Sequence, residues 1–468
     1  MSREGALLKN TVVLAIGTFL PKLATFVTLP ILTGCLTKEE YGTYDLVIVL
    51  VSLFLPAVTL QIQTAAFRFL IDYRGDEKRC QGIISTIFAF TVTLSFAATM
   101  IFFFAWQESS IVVKALVCIY FILDIVSAVS KQCIRGLGHN VKFSVSAILG
   151  AIVQMVLAIV LVLFMDLGFT GSLIALAGAE LMVAFYLVFG TGLFRFVRLR
   201  YCRFDLLKGL LSYSWPMVPN SMSMWVMRLS NRVLITAFMG VAANAVFAAA
   251  YKIPQLITLA QSTFTMAWQE SASLAAGDDD KEAYYTRMHG LVFDFLAGSA
   301  ALLIGICPFL FSLLVKGDYG EGLAQMPILI VGNLFYGMSA YLGGIYVAHL
   351  KTKSVGVTTI VAAAINLIVD IVSIPVIGLY AASLALVVSY LFLWVYRMLD
   401  VQKFQVVGLS WTKYICVSCF LAGMVLVGQF EGFAPQAINC LIGLVAFGCL
   451  CRETVAGAFR LVISKVKR

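Results

Sequence analysis

Charge is what this sequence has least of. Only 12% of its 468 residues are Asp, Glu, Lys or Arg, against about a quarter in a soluble globular domain. Hydrophobic residues make up 61%, and the mean hydropathy is +0.97. A water-soluble chain of this composition could not cover its own surface. Long polar loops are also missing: the longest, 194–211 and 269–288, leave no room for a separate catalytic domain. No Walker A sequence is present, which excludes ATP hydrolysis through a P-loop. The three histidines (His139, His289, His349) stand near helix ends with no metal-ligand spacing, so neither a metal nor another cofactor is expected. The eleven cysteines form no framework. Most lie in apolar runs, including the Cys416/Cys419 pair, and read as small buried hydrophobes.

What the chain has in abundance is apolar runs of membrane-spanning length, about twenty residues each. Fourteen are expected: 9–34, 43–64, 83–105, 111–130, 143–164, 168–193, 212–239, 243–268, 289–315, 324–348, 355–375, 379–397, 411–430 and 435–451. The least distinct division is at 165–171, where Asp166, Gly168 and Gly171 supply a turn. Arg3 and Lys9 precede the first run with no small-residue cleavage site after it, so the run reads as a retained helix. Orientation follows from the basic residues. With the N-terminus inside, the eight inner segments hold 26 lysines and arginines and the seven outer loops only Lys38 and Lys316. Both termini are therefore expected in the cytoplasm. The net charge of +9 is mostly this topology signal, and nucleic acid is not an expected partner.

The two halves repeat. Pro21 and Pro56 are 35 residues apart, as are Pro219 and Pro254, and the same offset of 198 places Gln63 on Gln261. At an offset of 210, Gly168-Phe-Thr-Gly-Ser-Leu-Ile-Ala-Leu176 matches Gly378-Leu-Tyr-Ala-Ala-Ser-Leu-Ala-Leu386. The expected architecture is an all-α polytopic membrane protein of about fourteen transmembrane helices in two parallel six-helix lobes plus two extra helices. Its parts are residues 1–193, a cytoplasmic linker 194–211, a second lobe 212–397, and 398–468 with two further helices and a basic tail. Each lobe opens on a proline-interrupted helix, with Pro21 and Pro30 in one and Pro216 and Pro219 in the other. Paired broken helices mark the binding region of many transporters, although such kinks also serve packing alone.

Setting aside Lys9, Arg397 and Lys413 at the cytoplasmic ends of their spans, five basic residues fall inside spans: Lys22, Lys114, Arg228, Arg232 and Lys252. Lys114, near a helix end, snorkels. Lys22 lies about 20 Å into its helix at 1.5 Å per residue. Each deep cation would cost about 2.5–3.5 kcal/mol or more facing lipid, so an inward placement is expected. Arg228 and Arg232 share a helix face and repel unless an anion lies between them, with Asn220 and Asn231 as neutral donors nearby. Together these residues point to a cationic cavity for an anionic substrate, guanidinium groups being well shaped for phosphate. Glu180 and Asp124 are candidate sites for a coupling proton or cation. The alternative is structural: buried ion pairs with Asp124, Glu180 or Asp370 bracing the bundle, and helix-to-helix hydrogen bonds at the acids.

Several segments resemble the Wzx-type oligosaccharide flippases of the multidrug/oligosaccharidyl-lipid/polysaccharide (MOP) exporter superfamily. They are Lys9-Asn-Thr with Pro21-Lys22, Leu36-Thr-Lys-Glu-Glu-Tyr-Gly-Thr-Tyr44, Arg232-Val-Leu-Ile-Thr, Ala248-Ala-Ala-Tyr-Lys252, and the Gly168 and Gly378 turns. The resemblance spans the chain and implies two six-helix lobes about a central cavity. It implies movement of undecaprenyl-pyrophosphate-linked saccharide from the inner to the outer leaflet of a bacterial cytoplasmic membrane, and no enzyme activity. Lys22, Arg228, Arg232 and Lys252 would receive the pyrophosphate, and polysaccharide polymerase and glycosyltransferases would be neighbours. One departure is Asn231, where members of that family often carry an acid. Lipid II flippases and cation-coupled small-molecule exporters share the fold, so the resemblance implies architecture more firmly than substrate. A basic cavity argues against exporters of cationic drugs, and outer loops of no more than about ten residues argue against a polymerase or ligase.

Overall fold

The computed structural model describes residues 24–106, 110–275, 278–349, 351–430 and 432–452, together with Gly17, Leu20 and Pro21. Among them the regular structure is helical, without strands. In a bilayer every backbone donor and acceptor must be met inside the chain, and helices meet that demand locally. Among the described residues ten helices are long and apolar enough to cross a membrane, and three shorter apolar ones accompany them. The residues fall into two compact units, Met1–Trp225 and Val226–Arg468.

The first unit contains α1 (Ala24–Cys35), α2 (Lys38–Thr59), α3 (Ile62–Asp72), α4 (Glu77–Ala105), α5 (Ile111–Gly136), α6 (Asn140–Ala158), α7 (Gly168–Phe185), α8 (Phe204–Ser214) and the start of α9 (Met217–Met239). Helix starts follow sequence chemistry. Thr37 and Glu40 form a reciprocal capping box, the Thr37 hydroxyl accepting from the Glu40 N–H at 3.2 Å and the Glu40 carboxylate from the Thr37 N–H at 2.9 Å. That accounts for the Leu36-Thr-Lys-Glu-Glu stretch. The same carboxylate would lie 3.3 Å from a Cβ at Gly168, whose φ of +50° closes the turn before α7. Asp76 and Ser110 cap α4 and α5 one way, accepting from the Arg79 and Val113 N–H groups. Helix α6 runs into a π-turn over Ile159–Phe164, and α7 into another over Tyr186–Gly190. Packing runs from α5 to α7, α4 and α3, and from α6 to α7.

The continuous second span expected over 43–64 is broken. Helix α2 ends at Thr59, Leu60 and Gln61 take φ of 49° and 57°, and α3 carries on to Asp72. Pro56 lies one turn before the break. In the second unit the span expected over 243–268 is broken too, into α10 (Val241–Lys252) and α11 (Gln255–Ala275) at Ile253–Pro254. At this break the Asn333 side chain donates to the Pro254 carbonyl at 2.7 Å. The remaining helices are α12 (Lys281–Leu314), α13 (Glu321–Ala348), α14 (Thr352–Ile377), α15 (Leu379–Val401), α16 (Trp411–Val427) and α17 (Phe433–Leu450).

Helix α13 is the hub of the second unit, almost wholly buried and packed on α10, α11, α12 and α15. Arg397 of α15 is buried there and spends its guanidinium on neutral oxygens: Ser339 O at 2.9 Å, Val355 O at 3.1 Å, and the Thr358 and Thr359 hydroxyls at 3.1 and 3.0 Å. Helix α17 closes on α12 through small residues. A Cβ at Gly443 would fall 2.5 Å from Ala301 O, and one at Gly305 2.8 Å from Asn439 O. Such close backbone approach is how helices associate where lipid removes the hydrophobic incentive. Gly378 enters α15 at φ 61° and ψ −137°, as the expected small-residue turn requires.

Candidate functional site

The candidate basic residues gather on α9 and α10. Arg228 and Arg232 are one turn apart on α9, and Asn220 lies two turns before Arg228. The side chains of Arg228 and Asn220, and Lys22 altogether, lie outside the described residues. Arg232 is 2% exposed and holds its guanidinium carbon 5.5 Å from the centre of the Tyr251 ring. Aromatic faces attract cations most strongly where water is excluded. Tyr251 in turn stacks on Phe247 at 6.0 Å, and half-buried Lys252 follows it at the end of α10, at the break before Pro254. Arg232 and Tyr251 thus form a cation–aromatic pair, and Lys252 follows Tyr251 in sequence at the helix break.

Asn231 turns elsewhere. Its amide donates to Asp370 Oδ1 of α14 at 3.1 Å and to the Ala382 carbonyl of α15 at 2.9 Å. Beside it Ser230 donates to Asn366 Oδ1 at 3.4 Å. Asn231, Asn366 and Asp370 are all buried, and Asn231 Oδ1, Asn366 Nδ2 and Asp370 Oδ2 have no hydrogen-bond partner among the described residues. The sequence named Asn231 and Asp370 separately, as a donor and a counterion. The fold makes them a bonded pair, with polar atoms left over in an apolar setting, where each costs about 1–3 kcal/mol.

The acids of the first unit form a second locus. Lys131 Nζ lies 3.7 Å from Glu180 Oε2, with both side chains about three-quarters buried or more. Ser127 donates to the Glu180 carbonyl at 3.2 Å. Asp124, Ser127 and Lys131 are spaced three and four apart on α5 and share the face toward α7. The sequence assigned Lys131 to a loop; α5 runs on to Gly136 and brings it to Glu180. Gln63 and Gln261, paired by the repeat, are each buried just after their helix breaks. Gln63 donates to Gln61 Oε1 at 3.2 Å and Gln261 to Thr265 Oγ1 at 3.5 Å. Gln61, at the break itself, donates to Ser221 at the start of α9 at 2.9 Å.

Comparison with known proteins places this geometry. The helices match those of transporters of the MOP superfamily. The lipid II flippase MurJ in an inward closed conformation aligns over 96% of this chain and 100% of its own, with a TM-score of 0.74 at 14% identity. An inward-facing multidrug resistance MATE family transporter aligns over 88% and 98%, with a TM-score of 0.69 at 12% identity. A MOP transporter from Pyrococcus furiosus, described by the reverse polarity of its binding pocket, aligns over 90% and 96%, with a TM-score of 0.60 at 15% identity. At these identities the likeness is one of fold. No curated protein matches the sequence. The family model described as polysaccharide biosynthesis protein matches residues 7–269, more than half of the chain. The chain belongs to that family.

Proposed function

We propose that this chain moves an undecaprenyl-pyrophosphate-linked oligosaccharide from the inner to the outer leaflet of a bacterial cytoplasmic membrane, for surface polysaccharide synthesis. The observation that carries this reading is the cation–aromatic pair of Arg232 and Tyr251, with Lys252 next in sequence at the break between α10 and α11, in a member of a polysaccharide biosynthesis family. A guanidinium presents its N–H donors in a planar fork that matches the spacing of phosphate oxygens. Arg228, Asn220 and Lys22 complete the head-group site. Asn231 acts from behind, fixing α9 against α14 and α15 through Asp370 and Ala382.

Transport proceeds by alternating access between lobes 1–193 and 212–397, with both termini cytoplasmic and the lipid tail in the bilayer. Residues 398–468, which include α16 and α17, contact that tail. Glu180 and Asp124 take the coupling proton or cation beside Lys131, and Asp370 is a further acceptor of the same kind. Polysaccharide polymerase and glycosyltransferases work on the same saccharide before and after it.

The test is flipping of a fluorescently labelled lipid-linked saccharide by the purified protein in proteoliposomes. Arg228→Ala, Arg232→Ala and Lys22→Ala, at normal membrane levels, are expected to lose about tenfold or more of the rate, as loss of a charged phosphate contact implies. Undiminished flipping by all three would overturn the cationic-site reading. Activity on lipid II in place of a saccharide carrier would move the substrate to another branch of the superfamily.

A further inference from the structure

The segment between α7 and α8 carries a basic cluster outside the proposed head-group site. Residues 192–208 read Gly-Leu-Phe-Arg-Phe-Val-Arg-Leu-Arg-Tyr-Cys-Arg-Phe-Asp-Leu-Leu-Lys, with five basic residues, one acid and apolar residues between them. Two short 3-10 turns, Leu193–Phe196 and Leu199–Tyr201, are pinned to the first turns of α4. Ser85 Oγ donates to the Phe196 carbonyl at 3.1 Å and accepts from the Arg198 N–H at 2.8 Å; Thr86 Oγ1 accepts from the Arg203 N–H at 3.1 Å.

The backbone is thereby held while Arg195, Arg198, Arg200, Arg203 and Lys208 stay exposed, as does Lys78 on α4. Of the nearby carboxylates, only Asp205 pairs with the cluster, which keeps it strongly basic. Asp76 caps α4 and pairs with Arg79 at 3.2 Å, Glu77 accepts from Gln81, and Asp205 reaches only Arg203, at 3.9 Å. The phenol of Tyr201 registers the resulting field: the Arg200 guanidinium, 2.8 Å from its oxygen, and the charges of Lys78 and Arg198 hold it below the usual tyrosine range.

Directly beside this cluster is a slot of about 310 Å³ between α4 and the start of α8. Ala89, Phe90, Leu94, Phe204 and Leu207 wall it, with Arg203 at its rim. Of the two hydroxyls that line it, on Thr86 and Thr93, that of Thr86 is engaged by the Gly82 carbonyl and the Arg203 N–H. From Thr86 to Leu94 the slot follows α4 for about 12 Å at 1.5 Å per residue, and Phe204 stands 81% exposed beside it.

We propose that this corner binds an anionic phospholipid, its phosphodiester on Arg198, Arg200 and Arg203 and one acyl chain in the slot. Charge complementarity selects the head group, because guanidinium forks match phosphate oxygens and basic segments at membrane ends attract acidic lipid. The hydrocarbon walls select a diacyl lipid over a soluble phosphate. On the orientation proposed above, the site faces the cytoplasmic leaflet and ties the segment between the lobes to its lipid.

The test is native mass spectrometry of the full-length protein in detergent, titrated with dioleoyl-phosphatidylglycerol, dioleoyl-phosphatidylcholine and glycerol phosphate. Phosphatidylglycerol should bind about tenfold more tightly than phosphatidylcholine or better. Combined Arg198→Gln, Arg200→Gln and Arg203→Gln should erase the preference, and Lys351→Gln with Lys353→Gln should leave it. Filling the slot by Ala89→Trp should weaken the phospholipid with the arginines intact. Phe204→Ser, at an exposed position, is the second slot variant if Ala89→Trp does not fold. Equal affinity for the two lipids, a preference that survives the triple variant, or competition by glycerol phosphate would each overturn the proposal. The readout is binding, so its failure is distinguishable from failure of the transport reading.

Discussion

Replacing Asn231 by Leu tests whether the Asn231–Asp370–Ala382 knot is an integral part of the second unit. Asn231 is 1% exposed and Asp370 0%, so no water replaces what is lost. Leucine withdraws two donors, the one 3.1 Å from Asp370 Oδ1 and the one 2.9 Å from Ala382 O. An orphaned buried acceptor costs about 1–3 kcal/mol, more if charged. The Ala382 carbonyl lies within α15 and keeps its place in the helix ladder, so most of the penalty falls on Asp370. We expect a net loss of about 2–4 kcal/mol. Asp370→Leu alone orphans only one of the two donor directions of Asn231 and should cost about 1–3 kcal/mol. With both replaced by Leu, neither side chain is left buried without its partner, and the double variant should recover about 1–3 kcal/mol of the summed single costs. The assay is reversible unfolding of the purified protein in mixed detergent, followed by tryptophan fluorescence. Strict additivity, or single losses under about 0.5 kcal/mol, would refute the knot as a coupled unit.

Other expectations rest on local geometry. Gly378→Ala places a side chain at φ 61° and ψ −137°, a region reached almost solely by glycine, and should cost about 1–3 kcal/mol in thermal unfolding. Gly443→Leu forces α17 off the Ala301 carbonyl and should markedly lower the unfolding midpoint, whereas Gly448→Leu, with open space around its Cβ position, should not. Ser85→Ala with Thr86→Val frees the backbone of 196–203 and should speed trypsin cleavage at Arg198, Arg200 and Arg203 severalfold, read by mass spectrometry of early fragments. Lys131→Met leaves Glu180 without its 3.7 Å partner, so flipping by the purified protein in proteoliposomes should fall.

Local features were the most legible in the sequence. Apolar runs became helices because length and hydropathy are properties of a window, and ten of the helices are long and apolar enough to cross. The Gly168 and Gly378 turns were legible because both need positive φ. The break after α2 was not: Leu60 and Gln61 adopt positive φ without glycine, and only Pro56 one turn earlier hints at it. The site was half legible. Arg232 and Lys252 stand out as cations in apolar runs, but the ring of Tyr251 gave no sign of being Arg232's companion. The partner of Asn231 lies 139 residues away, and no pattern along the chain encodes that meeting. Lys131 was misplaced because a helix that outruns its apolar core looks, in sequence, like the start of a loop.

The π-turns that end α6 and α7 have a consequence for the lengths this chain can tolerate. A π-turn accommodates one residue more than an α-turn, so Ile159–Phe164 and Tyr186–Gly190 each store one spare residue. Deleting a single residue within either stretch lets the turn relax to α-helix without rotating the residues downstream. The same deletion in the middle of α13 would swing every later side chain by about 100° and turn its buried face outward. Single-residue deletions should therefore survive selection at these two turns and fail in α13, which makes the turns the register buffers of the first unit.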